Sequence, residues 1–167
     1  MENRQYAKLV KAMMEFDHGS PKRIQHFLKV HSFARTIGIE EGLDEETLYI
    51  LESAALVHDI GIRPALEKYG SENGKLQEQE GPAFAKKMLE ETGGYTDAEI
   101  ERICYLVGHH HTYQGIDGMD WQILAEADFL VNLFESSVKY QAILNAENNL
   151  FVTECGKRML DVMFEEI

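Results

Sequence analysis

Apolar residues in this 167-residue chain recur at three- and four-residue intervals almost from end to end, and few windows alternate with the period of two that a strand requires. That periodicity predicts an all-α fold. The pattern places a helix over about residues 3–17, with Tyr6, Leu9, Val10 and Met13 on one face, broken by "HGSP". Ser20 and Pro21 read as the cap and first turn of a second helix, striped by Ile24, Phe27, Leu28, His31 and Ala34. Asp44 is expected to cap a third, with Leu48, Leu51, Ala55 and His58 in phase and Gly61 as its stop.

Residues 62–80 are rich in Gly and polar side chains and predict a long connection with one helical turn at most, a lid candidate. A helix from Pro82 to about Glu91 should end at Gly93 and Gly94. "TDAE" at Thr96–Glu99 reads as a capping box launching a helix with Ile100, Ile103, Val107 and His110 in phase. Asp120 is expected to cap the next, in which Leu124, Ala127, Asp128 and Val131 share a face. Two further helices, near residues 138–148 and 154–166, bring the bundle to seven to nine, in a single domain over 1–167.

Composition narrows the function classes. With 44% hydrophobic and 27% charged residues the chain should fold by itself. A formal net charge of −13 repels polyanions, which disfavours nucleic-acid polymers and anionic membranes as partners. Small phosphorylated substrates stay open, because one bound divalent cation reverses the local potential. No run of about 18 apolar residues and no apolar secretory core occurs, which predicts a soluble cytoplasmic protein. Cys104 and Cys155 are too few and too distant for a disulfide framework or a zinc ribbon.

The stripes contain residues that an apolar face should not hold: His31, His58 with its neighbour Asp59, His110 with its neighbour His109, and Asp128. A lone histidine there is ordinarily a core residue with satisfied hydrogen bonds. Asp59 and Asp128 are different, since a buried carboxylate needs a compensating charge and no stripe supplies Arg or Lys. A cation held by imidazoles and carboxylates together satisfies all of them, and a mixed nitrogen and oxygen set suits Mn, Fe, Zn, Mg or Ni. Both histidine pairs also fall at predicted helix C-termini, where the helix dipole favours a cation.

His31 in "LKVHSFA", His58 and Asp59 in "ALVHDIG", and Asp128 in "AEADFLV" resemble the scattered H…HD…D pattern of the HD-domain superfamily of metal-dependent phosphohydrolases. The resemblance covers roughly residues 20–135 and extends to "KYGS", "QEQEGP" and "CYLVGHHHTY", stretches similar to those of small bacterial members. It implies an HD-type helical bundle that binds one or two divalent ions. His31, His58, Asp59 and Asp128 would hold the first. Asp59 would bridge to a second held by His109, His110 and Glu80, with Glu78 as the alternative oxygen ligand. His111 is expected beside the site or facing solvent, and His18 and His26, off the stripes, at the surface.

The reaction so implied is hydrolysis of a nucleotide or other small phosphate ester by metal-activated water, with Asp59 and Arg63 as catalytic residues. Arg63, Lys68 and Lys75 are the candidate phosphate contacts. Two alternatives compete: an HD-type di-iron oxygenase, suited to a histidine-rich second site, and a non-enzymatic module binding metal or nucleotide.

Overall fold

The computed structural model describes residues 3–136 and 149–164, and among these every regular element is helical. The order is α1 (Asn3–Phe16), α2 (Pro21–Glu40), α3 (Glu45–Val57), a 3-10 turn (His58–Gly61), α4 (Ile62–Tyr69), α5 (Gly74–Thr92), α6 (Asp97–Val107), α7 (Met119–Glu135) and α8 (Glu154–Phe164). The helix expected near 138–148 lies outside the described residues. No described helix is long and apolar enough to cross a membrane.

Two helices carry the core. In α3 every residue from Ile50 to Val57 is buried, and in α7 every residue from Asp120 to Asp128. A helix covered on all sides must lie inside the bundle. α2 packs on both of them, α1 and α6 flank α3, and α5 lies along the 3-10 turn and α6. Leu9, Met13, Phe27, Ile37, Leu51, Ile103 and Trp121 are among the large side chains sealed in this core.

Several local predictions hold in atomic detail. Asp44 accepts from the Thr47 amide at 2.8 Å, and Thr96 with Glu99 forms the reciprocal capping box. Two caps differ. Ser20 makes no side-chain cap bond, and α7 is capped at Gly118, so Asp120 falls in the first turn. There its carboxylate takes two 2.7 Å bonds from Arg102, tying α6 to α7.

The expected lid at 62–80 is instead helical. α4 follows the 3-10 turn directly and ends at Gly70, whose φ of 66° is left-handed, and Asn73 caps α5 through the Lys75 amide. α5 runs through Pro82 rather than starting there, because Gln77, Glu78, Gly81, Ala85 and Leu89 form one buried stripe. Packing of that stripe outweighs the proline's cost of about 3 kcal/mol. Gly61 is likewise not a left-handed stop, having φ −72°. A side chain at Gly61 would overlap the Gln77 carbonyl, and one at Gly81 would come within 2.7 Å of Val107. These two glycines let α5 lie directly on the 3-10 turn.

Candidate metal centre

The ends of two helices and the interiors of two others bring five titratable side chains together. α3 gives way to the 3-10 turn at His58, whose Nδ1 bonds the Ala55 carbonyl at 2.9 Å. α6 ends similarly, and His110 Nδ1 bonds the Val107 carbonyl at 2.7 Å. Each imidazole thereby satisfies a carbonyl left unpaired by a helix terminus. His26, on α2, turns its Nδ1 toward Glu135, 3.2 Å away. In all three rings Nδ1 faces an oxygen that can only accept and so carries a proton, which leaves Nε2 as the nitrogen that can take a second proton or bind a cation.

Those Nε2 atoms converge on carboxylates. His26 Nε2 lies 3.3 Å from His58 Nε2, 3.1 Å from Asp128 Oδ1 and 3.4 Å from Asp59 Oδ2. His58 Nε2 is 3.5 Å from each carboxylate. On the other side of Asp59, Oδ1 is 3.5 Å from His110 Nε2, a buried nitrogen with no hydrogen-bond partner. Among the described residues no Arg or Lys pairs with Asp59 or Asp128. Asn132 supplies a neutral donor, its amide bonding Asp128 Oδ1 at 2.8 Å.

Two imidazole nitrogens and two carboxylates this close together require a positive charge among them, a proton or a metal ion. A proton can serve in part. Burial lowers the His58 pKa, but Asp59 and Asp128 overcome that and raise it to about 9. Burial pushes Asp59 and Asp128 up, yet the surrounding imidazoles hold both well below the usual carboxylate range. A divalent ion meets the same demand with more charge, and the donor set fits it.

His26, His58 and Asp59 can close on one ion, with Asp128 alongside, and Asp59, His110 and His111 can close on a second. His111 Nε2 meets Gln77 Oε1 at 3.1 Å, and the Gln77 amide nitrogen is fixed by the Glu72 carbonyl at 2.7 Å. That leaves His111 Nδ1 as its free nitrogen. Burial depresses the His111 pKa to about 4, keeping the ring neutral. His58 and His110 are 0% exposed, while Asp59, at 17% side-chain exposure, and His111 reach toward the surface.

His31 is not in this centre. It is buried, but its Nε2 lies 3.2 Å from Glu52, its ring stacks near Tyr6, and Arg35 bonds the same carboxylate at 2.7 Å. His26 occupies the place expected of it. α2 is buried on two adjoining rows, His26–Val30–Ile37 against one neighbour and Phe27–His31–Ala34–Gly38 beside it, so a single stripe could not separate them. The breadth of the apolar arc in α2 was the available signal.

Other expected ligands also move. His109 stacks on Tyr105 at 4.1 Å and bonds its carbonyl, so His111 takes its place, because the chain turns out of α6 at Gly108. Glu80 faces away, bonded to Lys68 and Tyr69. The adjacent buried Glu78 faces the centre, accepting from the His111 amide and the Thr112 hydroxyl, with Lys75 at 2.8 Å. Arg63 bonds Glu67 and the Phe16 carbonyl, and His18 is exposed as expected.

A family model for the HD domain matches residues 23–140. Among solved structures, a predicted HD superfamily hydrolase from an uncultured Thermotogales bacterium is similar to this chain at 23% identity and TM-score 0.67. The alignment covers 93% of this chain and 83% of that one. No curated protein matches. The match spans most of the chain, including all the residues that converge here, and the chain belongs to the HD-domain family.

Proposed function

We propose that the protein is a metal-dependent phosphohydrolase acting on a small phosphate ester. The observation that carries this reading is the cluster of mutually facing acceptors, His26, His58, Asp59 and Asp128, with no permanent cation among them. His26, His58, Asp59 and Asp128 would hold one ion, and Asp59, His110 and His111 a second. A divalent ion there supplies Lewis-acid stabilisation of phosphoryl charge and makes water acidic enough to attack near neutral pH.

The chain's own residues do the rest. Asp59, partly exposed, presents a carboxylate to both halves of the centre and so fixes them relative to each other. The helices around His58 and His110 exclude water, which strengthens electrostatic interactions at the mouth. Arg63, half-exposed on the helix that follows the 3-10 turn, and Lys75, beside Thr112, would each receive a phosphate oxygen. Lys68, paired with Glu80, is the third candidate phosphate contact.

The test is a panel of phosphomonoesters and phosphodiesters assayed with Mn²⁺, Mg²⁺, Fe²⁺, Ni²⁺ and Zn²⁺. Turnover that disappears in Asp128→Asn and falls in Arg63→Ala, with ion content kept in the latter, supports the reading. A fully loaded protein that hydrolyses none of them overturns it. Oxygen uptake specific to the Fe²⁺ form would assign an oxygenase instead.

A further inference from the structure

Three of the inward imidazoles are held by their far nitrogens, and the three holders are not alike. His58 and His110 are held by backbone carbonyls of their own helix ends. His26 is held from a different helix by a charged side chain, Glu135, the last residue of α7. Glu135 is mostly buried, at 12% side-chain exposure, and its second oxygen takes a 2.6 Å bond from Lys29, on the same helix as His26. Asp128, Asn132 and Glu135 stand at i, i+4 and i+7 on α7, so one face of that helix carries a centre carboxylate, its amide partner and the carboxylate behind His26.

The two classes of support differ physically. A carbonyl fixed by a helix cannot leave without unwinding the helix, whereas a carboxylate can rotate away and must be held. Lys29 holds it. A carboxylate behind an imidazole also fixes the ring's tautomer and makes its inward nitrogen a stronger donor, more so than a neutral carbonyl can.

We propose that Glu135, steadied by Lys29, is a positioning residue that keeps the His26 Nε2 lone pair aimed at Asp59 and Asp128 and thereby sets the centre's affinity for its ion. This rests on the metal reading above. It also makes the His26 side of the centre the adjustable one, dependent on a side-chain pair near the surface.

The experiment measures Mn²⁺ affinity by chelator competition in the wild type and in Glu135→Leu, Glu135→Gln, Lys29→Met and His26→Ala. Nitrogen–proton correlation spectra of the His26 ring in the ion-free protein accompany it. Glu135→Leu should weaken Mn²⁺ binding by about 10- to 100-fold and turn the His26 Nδ1–H signal into a tautomer mixture. Glu135→Gln, which keeps an oxygen acceptor, should lose less, and Lys29→Met should fall between Glu135→Gln and wild type. Lys29 is 37% exposed at its side chain, so that variant tests the idea even if Glu135→Leu fails to fold. Wild-type affinity and an unchanged tautomer in the folded Glu135 and Lys29 variants overturn the inference. Wild-type affinity in His26→Ala overturns the metal reading itself.

Discussion

α2 carries two buried histidines little more than one turn apart, each against a carboxylate, and they have different fates. At His31 the carboxylate of Glu52 already has a permanent cation in Arg35, so the cluster is a closed ion-pair network. At His26 the carboxylates of Asp59 and Asp128 face imidazole nitrogens and the Asn132 amide, and among the described residues no Arg or Lys. A buried histidine beside an acid therefore says little. What distinguishes a site is a surplus of acceptors that the protein's own cations leave unanswered.

The largest effect expected from breaking this contrast is loss of the ion. His58→Ala and Asp128→Asn should each weaken metal binding on the order of 100-fold or more, read as ion content after desalting. His31→Ala should keep full ion content and instead cost about 1–3 kcal/mol of stability in denaturant titrations. Equal loss of metal in the His31 variant would erase the distinction.

The closed network should announce itself in acid. Burial raises the Glu52 carboxyl, but the His31 ring 3.2 Å away and the bond from Arg35 help bring it down to about 2, from a usual 4.5. Its folded value is depressed, so its contribution is fully present above pH 4.5 and fades as pH falls toward 2. The stability gap between wild type and Glu52→Gln should shrink by about 3 kcal/mol across that window. A pH-independent gap would show that Glu52 is not held by this network.

Next in size is the thermal effect of stripping the open cluster. An ion present at about 100 times its dissociation constant stabilises by about 2.7 kcal/mol, so chelation should lower Tm by roughly 5–10 °C in calorimetry. His58→Ala, already without the ion, should show no chelator effect. Smallest of all is Glu80→Ala, which should leave ion content intact and move stability by less than about 0.5 kcal/mol. Metal loss in that variant would return Glu80 to the centre.

Much of this was legible in the sequence. The 3.6-residue period fixes the helical class, the capping chemistry at Asp44 and Thr96 marks two helix starts, and the inward positions of His58, Asp59, His110 and Asp128 follow from their phase. What escaped depends on contacts distant in the chain. His26 and His31 are both buried, and only the partners across the bundle, Asp128 for one and Glu52 for the other, decide which is which. His109 and His111 exchange roles because a helix ends at Val107 and the phase beyond it no longer applies. The helical stretch at 62–80 was hidden because its two glycines mark helix ends rather than a loop, Gly70 closing α4 in a left-handed conformation and Gly74 opening α5.

The bare backbone at Gly61 has a mechanical consequence. Because main chain rests on main chain there, the spacing between the turn that carries Asp59 and the helix whose Gln77 braces His111 is set by atoms with no rotamers to change. The halves of the centre are spaced as by a fixed gauge block. Side chains around them can vary in size and identity without altering that interval, whereas a single methyl group at position 61 would force them apart.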